Sequence, residues 1–432
     1  VITASKESMD KQLQFISASQ EKRPDIVAEL QELGELYSRK LWHQLTVKLE
    51  QLIEDDRVQR DGFLIALYQN FIAGFAHKIN LLNLSFFAVT VAKQMPPQVS
   101  VITIHQITPT ATLLPSPPFP PTSSHPPSLP LLQDGLAFIN DVISNLEASN
   151  APGSTQPILF LRMQAAQYHQ LLGNLSDTKS MLDQGRTTLD SLTDADPAVS
   201  GSVHYVSMQI AKETQAYADF YRSSLQYLAF ISYETLTEEM RVSLAVDISL
   251  SALMGEDIYN FGELLLHPIL NTLRENKSYI WLLEILECFD AGDIHAYDAL
   301  CSKHAAALNA QPALVAHERK LREKVTIAAL LEMIGSLPAE ARSLALVDIA
   351  AKTKLPVEGV ELLLMRALAL HLIEGVVDGV SGSVAITWVA PRVLTYRQVE
   401  GMAGRLEGWV SRVDSAAITL QDEAAGLLVS QA

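Results

Sequence analysis

Cysteine is nearly missing from this chain. Two in 432 residues, Cys288 and Cys301, are too few for a disulfide framework and suit a reducing compartment. Long apolar runs are missing too. The most hydrophobic region, Phe63 to Val91, is broken by Gln69, Asn70, His77, Lys78, Asn80 and Asn83. It therefore holds no uninterrupted span of the roughly 20 apolar residues needed to cross a bilayer, and core helices are predicted instead. No secretory signal is visible at the start, which opens on Val1. Positive charge is also short: 32 Lys and Arg face 49 Asp and Glu, a formal charge of −17. That balance disfavours nucleic acid and anionic membranes as partners and favours solubility.

Catalytic signatures are lacking as well. There is no glycine-rich phosphate loop ending in Gly-Lys-Ser or Gly-Lys-Thr, no Gly-x-Ser-x-Gly elbow and no His-Glu-x-x-His helix. The expectation is a protein that is not an enzyme and needs no cofactor. The nearest approach to a metal cluster is Cys288, His295, Cys301 and His304, the right count for structural zinc. Their spacing matches no paired-ligand motif, so buried, inert cysteines and surface histidines are expected and no metal is assigned. His267-Pro268 has no nucleophile motif beside it and is read as a histidine bonded to nearby backbone at a corner between helices.

What the chain does have is apolar side chains, 48% of the total against 19% charged, enough to bury a large core. Its length suggests two domains or an extended repeat array. Residues 1–95 read as consecutive amphipathic helices. Leu30, Leu33, Tyr37, Leu41 and Leu45 recur at spacings of three and four, as do Leu64, Leu67, Phe71 and Phe75, and each stripe needs a neighbouring helix. Residues 134–224 resume this pattern as a solenoid. Pro157–Leu172 and Thr178–Leu192 flank a turn at Gly173 in a unit like a tetratricopeptide repeat, and Val203–Tyr221 with Leu225–Tyr233 is predicted to form another. Further helices are predicted over Thr237–Leu253, Phe261–Leu273, Lys277–Phe289, Ile294–Ala307 and His317–Ile334.

Between these helical regions, residues 96–133 hold more than half of the chain's 20 prolines and no period. One reading is a disordered, solvated insertion. The other is an intron translated in frame, since Leu113 to Leu132 uses residues whose codons can be rich in pyrimidines and Gln133 is compatible with an acceptor site. Removing Val99 to Gln133 restores a short connection between helices.

The segment 343–394 has a distinct order. Leu344 to Lys352 shows helical spacing, Thr353-Lys354-Leu355-Pro356 interrupts it, and a second helix is predicted from there to about His371. Two β-prone runs follow, Ile373–Asp378 and Ser383–Val389, joined at Gly379-Val380-Ser381-Gly382 as a hairpin. Helix, turn, helix, hairpin is the order of a winged helix. Such a fold can read DNA through its second helix, but here that helix offers Arg366 and His371 against Glu358 and Glu361, with Leu362, Leu363, Leu364, Met365, Leu368 and Leu370 filling most of the rest. It is built for packing, not for phosphates. After it, residues 395–432 carry Val399, Met402, Leu406, Trp409, Val413, Ala416 and Leu420 at alternating spacings of three and four, the seam of a helix that packs on another. That helix either folds back on its own winged helix or joins a bundle with helices of other subunits.

Three blocks carry a resemblance: Val360 to Leu368, Thr387 to Leu394, and Tyr259-Asn260-Phe261-Gly262-Glu263-Leu264-Leu265-Leu266-His267-Pro268. They resemble the PCI-family subunits of the proteasome regulatory-particle lid. The resemblance implies an all-α fold: a solenoid like tetratricopeptide repeats, a PCI module over 225–394 ending in a winged helix with a short β-hairpin, and a C-terminal assembly helix. It implies a non-catalytic scaffold supporting lid assembly and ubiquitin-dependent degradation, in cytoplasm and nucleus. The His-x-His and distant Asp of the assembly's zinc deubiquitinase are absent here. The implied partners are other PCI subunits, the MPN-domain pair containing that deubiquitinase, and a ubiquitin-receptor subunit, in a hetero-oligomer without nucleic acid or membrane. Candidate interface residues are Trp388, Arg392, Val399, Met402, Leu406, Trp409, Val413 and Leu420. The alternatives are a scaffold of the signalosome or of translation initiation factor three, and a winged-helix nucleic-acid binder.

Overall fold

The computed structural model describes residues 12–20, 23–55, 58, 63–94, 129–149, 151, 153–309, 311–337, 342–393 and 396–429. Most of the proline-rich segment, and with it the proposed intron junction at residue 99, lies outside the described residues. Contacts divide the chain into two units, Val1–Glu256 and Asp257–Ala432.

The first unit is built of helices α1 (Val27–Ser38), α2 (Trp42–Glu54), α3 (Phe63–Asn70), α4 (Leu81–Gln94), α5 (Leu129–Ser149), α6 (Thr155–Leu171), α7 (Leu175–Ser191), α8 (Pro197–Glu213), α9 (Tyr217–Phe230) and α10 (Glu238–Met254). The stripes expected from the sequence face inward: Leu30, Leu33, Tyr37, Leu45, Leu64, Leu67, Phe71 and Phe75 are all buried. Leu41 is the exception at 39% exposed, because the chain turns at Lys40, whose φ is +58°. The turn at Gly173 (φ +83°) separates α6 from α7 as expected.

The second repeat unit is divided differently from the reading above. Its turn falls at residues 214–216, not between Tyr221 and Leu225, and Gln215 takes φ +55° there. Asp196 caps α8 by accepting a 2.9 Å hydrogen bond from the Ala198 N–H, with Pro197 opening the helix. Deeper in the stack, Lys212 of α8 meets Asp247 of α10 at 2.6 Å, with side chains only 13% and 3% exposed. Gln170 of α6 donates to Glu213 of α8 at 2.6 Å. These polar contacts lie at the helix seams.

The second unit begins with three short pieces, α11 (Gly262–Leu266), a 3₁₀ turn (Pro268–Leu270) and α12 (Asn271–Glu275). A continuous helix over Phe261–Leu273 is therefore corrected. Pro268 has no N–H to continue α11, and the His267 ring closes the corner by accepting from the Ile269 N–H at 3.2 Å. Next come α13 (Ile280–Ala291), α14 (Ile294–Lys303), α15 (Ala305–Asn309), α16 (Pro312–Ala316) and α17 (Glu318–Ser336).

The winged helix follows, as strand β1 (Ser343–Ala345), α18 (Leu346–Thr353), α19 (Val357–Ala369), β2 (Ile373–Asp378) and β3 (Ser383–Val389). Beyond the expected hairpin there is a third strand: β1 pairs antiparallel with β3, giving the order β1-β3-β2. Leu344 and Ala345, read as the start of a helix, belong to that strand. The core joins Ile327, Leu330, Leu331 and Ile334 of α17 to Leu346, Ile349, Val360, Leu363, Leu364, Ala367, Ile373, Val384 and Ile386. The last described element is α20 (Tyr396–Val429).

Candidate protein–protein interface

The helix that would enter DNA in a nucleic-acid reader is α19, and its sides are sharply divided. Val360, Leu363, Leu364 and Ala367 are buried, whereas Leu362 and Met365 are 67% and 62% exposed. Two adjacent leucines thus face opposite ways, and only part of this apolar helix is packed within the chain. Arg366 is paired with Glu323 of α17 at 3.3 Å. Lys354, in the left-handed turn before α19 (φ +56°), reaches Asp298 at 3.2 Å, which also holds Arg322 at 3.4 Å. Three of the four Lys and Arg side chains between Ser343 and Val393 (Lys354, Arg366 and Arg392) are ion-paired within the chain. Among the described residues of the winged helix, no row of free cations is left for a phosphate backbone.

The wing presents apolar side chains instead. Trp388 is 42% exposed on β3, opposite Glu374 across a bulge between Glu374 and Gly375. Gly375 is needed there, because a Cβ would come within 2.4 Å of the Ala385 carbonyl oxygen. Val376 and Val380 are also exposed.

Arg392 lies just past the wing and faces inward. Nη2 donates to the Asp290 carbonyl oxygen at 2.8 Å, and Nη1 lies 3.1 Å from a Glu332 carboxylate oxygen. The Asp290 carboxylate is 3.8 Å away. Burial holds the Asp290 carboxyl above the usual carboxylate range, opposed by the Arg392 guanidinium and reinforced by the Glu332 charge. The next residue, Val393, donates its N–H to Asn260 Oδ1 at 3.4 Å. A Cβ on Gly262 would lie 3.0 Å from the Val393 Cβ. Phe261 between them is buried edge-to-face against Phe289, with centroids 5.5 Å apart. The Asn-Phe-Gly block thus has a physical reading: a side-chain acceptor, a core anchor, and a gap for the segment leaving the wing.

The remaining candidates all lie on α20. Every described side chain from 399 to 421 is exposed. Val399, Met402, Leu406, Trp409, Val413 and Leu420 range from 42% to 66% exposed. Over 399 to 421 the helix is not packed on its own winged helix, and among the described residues nothing covers its apolar seam.

Potential chemistry elsewhere is occupied by structural roles. Cys288 Sγ points to the Asp293 carbonyl oxygen at 3.0 Å, and burial pushes its thiol pKa up to about 11. His304 pairs with Glu284 at 2.9 Å. Burial lowers the His267 pKa, opposed by the Glu263 charge. Among the described residues no group of three or more His, Cys, Asp or Glu could hold a metal ion, and no helix is long and apolar enough to cross a membrane.

The family profile for PSD13 N-terminal repeats matches residues 29–111 and 129–286, and the PCI domain profile matches 301–388. The 26S proteasome non-ATPase regulatory subunit 13 homolog A of Arabidopsis thaliana is 40% identical over 97% of this chain and 99% of its own length. The chain belongs to the family of 26S proteasome non-ATPase regulatory subunit 13. Other members are the Dictyostelium discoideum subunit 13, 30% identical over 97% of this chain and 99% of its own length, and the Saccharomyces cerevisiae regulatory subunit RPN9, 30% identical over 90% and 91%. The gap in the repeat match, residues 112–128, falls inside the proline-rich segment. Subunit 13 is a non-ATPase component, in keeping with the absence of a phosphate loop from the sequence.

Proposed function

We infer that this chain is a non-catalytic scaffold subunit of the proteasome lid, supporting assembly of the regulatory particle and through it ubiquitin-dependent degradation. The observation that carries this is kinship with regulatory subunit 13 over nearly the whole chain. The exposed seam of α20 supports it, because a helix with an uncovered apolar stripe completes its burial against another protein.

The finer reading is that residues 225–394 act as the PCI module, that α20 joins a bundle with C-terminal helices of other lid subunits, and that Trp388 lies at a wing contact. The proposed neighbours are other PCI subunits, the MPN-domain pair with the deubiquitinase, and a ubiquitin-receptor subunit near the solenoid, in cytoplasm and nucleus. Affinity purification of the tagged chain with mass spectrometry tests this reading. Co-purification with the proteasomal ATPases and lid subunits is expected; recovery with ribosomal or signalosome proteins instead would overturn it.

A further inference from the structure

We propose that Asn260, Gly262 and Arg392 form a latch fixing where the chain leaves the wing, so that a subunit presents its terminal helix for assembly only after α11, α13 and α17 have packed with the winged helix. This deepens the reading of α20 as the assembly helix and rests on it.

The latch grips two consecutive residues from three elements. Arg392 is held by Asp290, at the end of α13, and by Glu332 on α17. Val393 is held by Asn260, before α11. Two of these bonds span 102 and 133 positions of sequence, so none of the grips exists until those elements are in place. The Arg392 side chain is only 18% exposed. Taking a guanidinium that far from water is favourable only where carboxylates and a carbonyl are already positioned to receive it. A segment that merely connected two elements would run solvated over the surface. Gly262 serves the same end, since a methyl group there would press on Val393 at 3.0 Å. The α20 helix starts three residues after Val393, at Tyr396.

The test uses the full chain in a lid reconstituted from the other subunits. Arg392→Met and Gly262→Ala are expected to keep the helical content by circular dichroism. Each is expected to slow incorporation about tenfold and to speed hydrogen exchange around Val393 at least tenfold. Val393→Gly in the Gly262→Ala background removes the crowding Cβ and is expected to recover most of the incorporation rate, which a general loss of stability would not do. If Arg392→Met fails to fold, the Gly262 pair decides alone. Wild-type rates for the folded variants, while deletion of 396–432 blocks incorporation, would overturn the latch and leave the assembly reading standing. Normal incorporation of the deletion variant would overturn both.

Discussion

Replacing Leu406 and Trp409 together by alanine separates a helix that stabilises its own chain from one that serves a partner. Both side chains are on the described seam, 61% and 60% exposed. A buried tryptophan removes about 150–250 Å² from water, so with 60% still accessible roughly 100–150 Å² remains to be covered. At about 25 cal/mol/Å² that is ~2.5–4 kcal/mol, and the leucine adds ~1–2 kcal/mol on the same scale. In the isolated chain neither side chain has this burial to lose, so the thermal midpoint is expected to move by no more than a surface substitution allows, within about 0.5 kcal/mol. Alanine retains part of the contact and complexes relax, so a loss of about 3–4 kcal/mol on assembly is expected, a 100- to 1,000-fold weaker association. The assay is competition between tagged wild-type and variant chains for a limiting lid lacking this subunit, alongside calorimetry of each chain alone. A variant that melts much earlier by itself yet competes normally would refute the reasoning, because the seam would then be covered from within.

Further outcomes concern three other places in the chain. Asp247→Ala leaves Lys212 as an uncompensated, nearly buried charge and is expected to destabilise the first unit by about 3–5 kcal/mol. Hydrogen exchange in α8 and α10 reads this, and Lys212→Met with Asp247→Leu is expected to restore most of the protection. The Cys288 thiol, with a pKa near 11, leaves about one part in a thousand as thiolate at pH 8. Its alkylation in the native chain is therefore expected to be far slower than that of a free thiol. Because that pKa is raised, the stability it contributes is full below the ordinary thiol range, near pH 9, and is lost as pH rises through about 11; pH-dependent melting checks the sign. For the proline-rich segment, transcript sequencing is expected to join the codons of Gln98 and Asp134, and a native peptide containing Pro115 to Pro121 would exclude that junction.

How much of this was legible in the sequence depended on where the determining contact lay. Turns marked by Gly173 and by the Gly379–Gly382 loop were found, because glycine and the hairpin signal are local. The turn at Gln215 was missed, since a glutamine at φ +55° carries no sequence mark. Strand β1 was hidden for another reason: three residues of strand run directly into α18, and helical spacing absorbs them. Periodicity also could not show that Leu362 and Met365 stay outside while Leu363 and Leu364 go in, because which arc of a largely apolar helix is covered is decided by α17 and the sheet. The partners of Arg392 were least accessible, being separated from it by long stretches of sequence. The heptad spacing of the terminal helix, by contrast, was plain. What spacing left open is whether the seam closes inward; in the structure the described side chains from 399 to 421 are exposed.

The central claim is that this seam is covered by other subunits, and a photo-crosslinking residue in place of Trp409, activated in assembled proteasomes, tests it most directly. Crosslinks to C-terminal helices of other lid subunits are the expected product. Crosslinks confined to this chain's own winged helix, or none at all in an assembly that contains the chain, would contradict it.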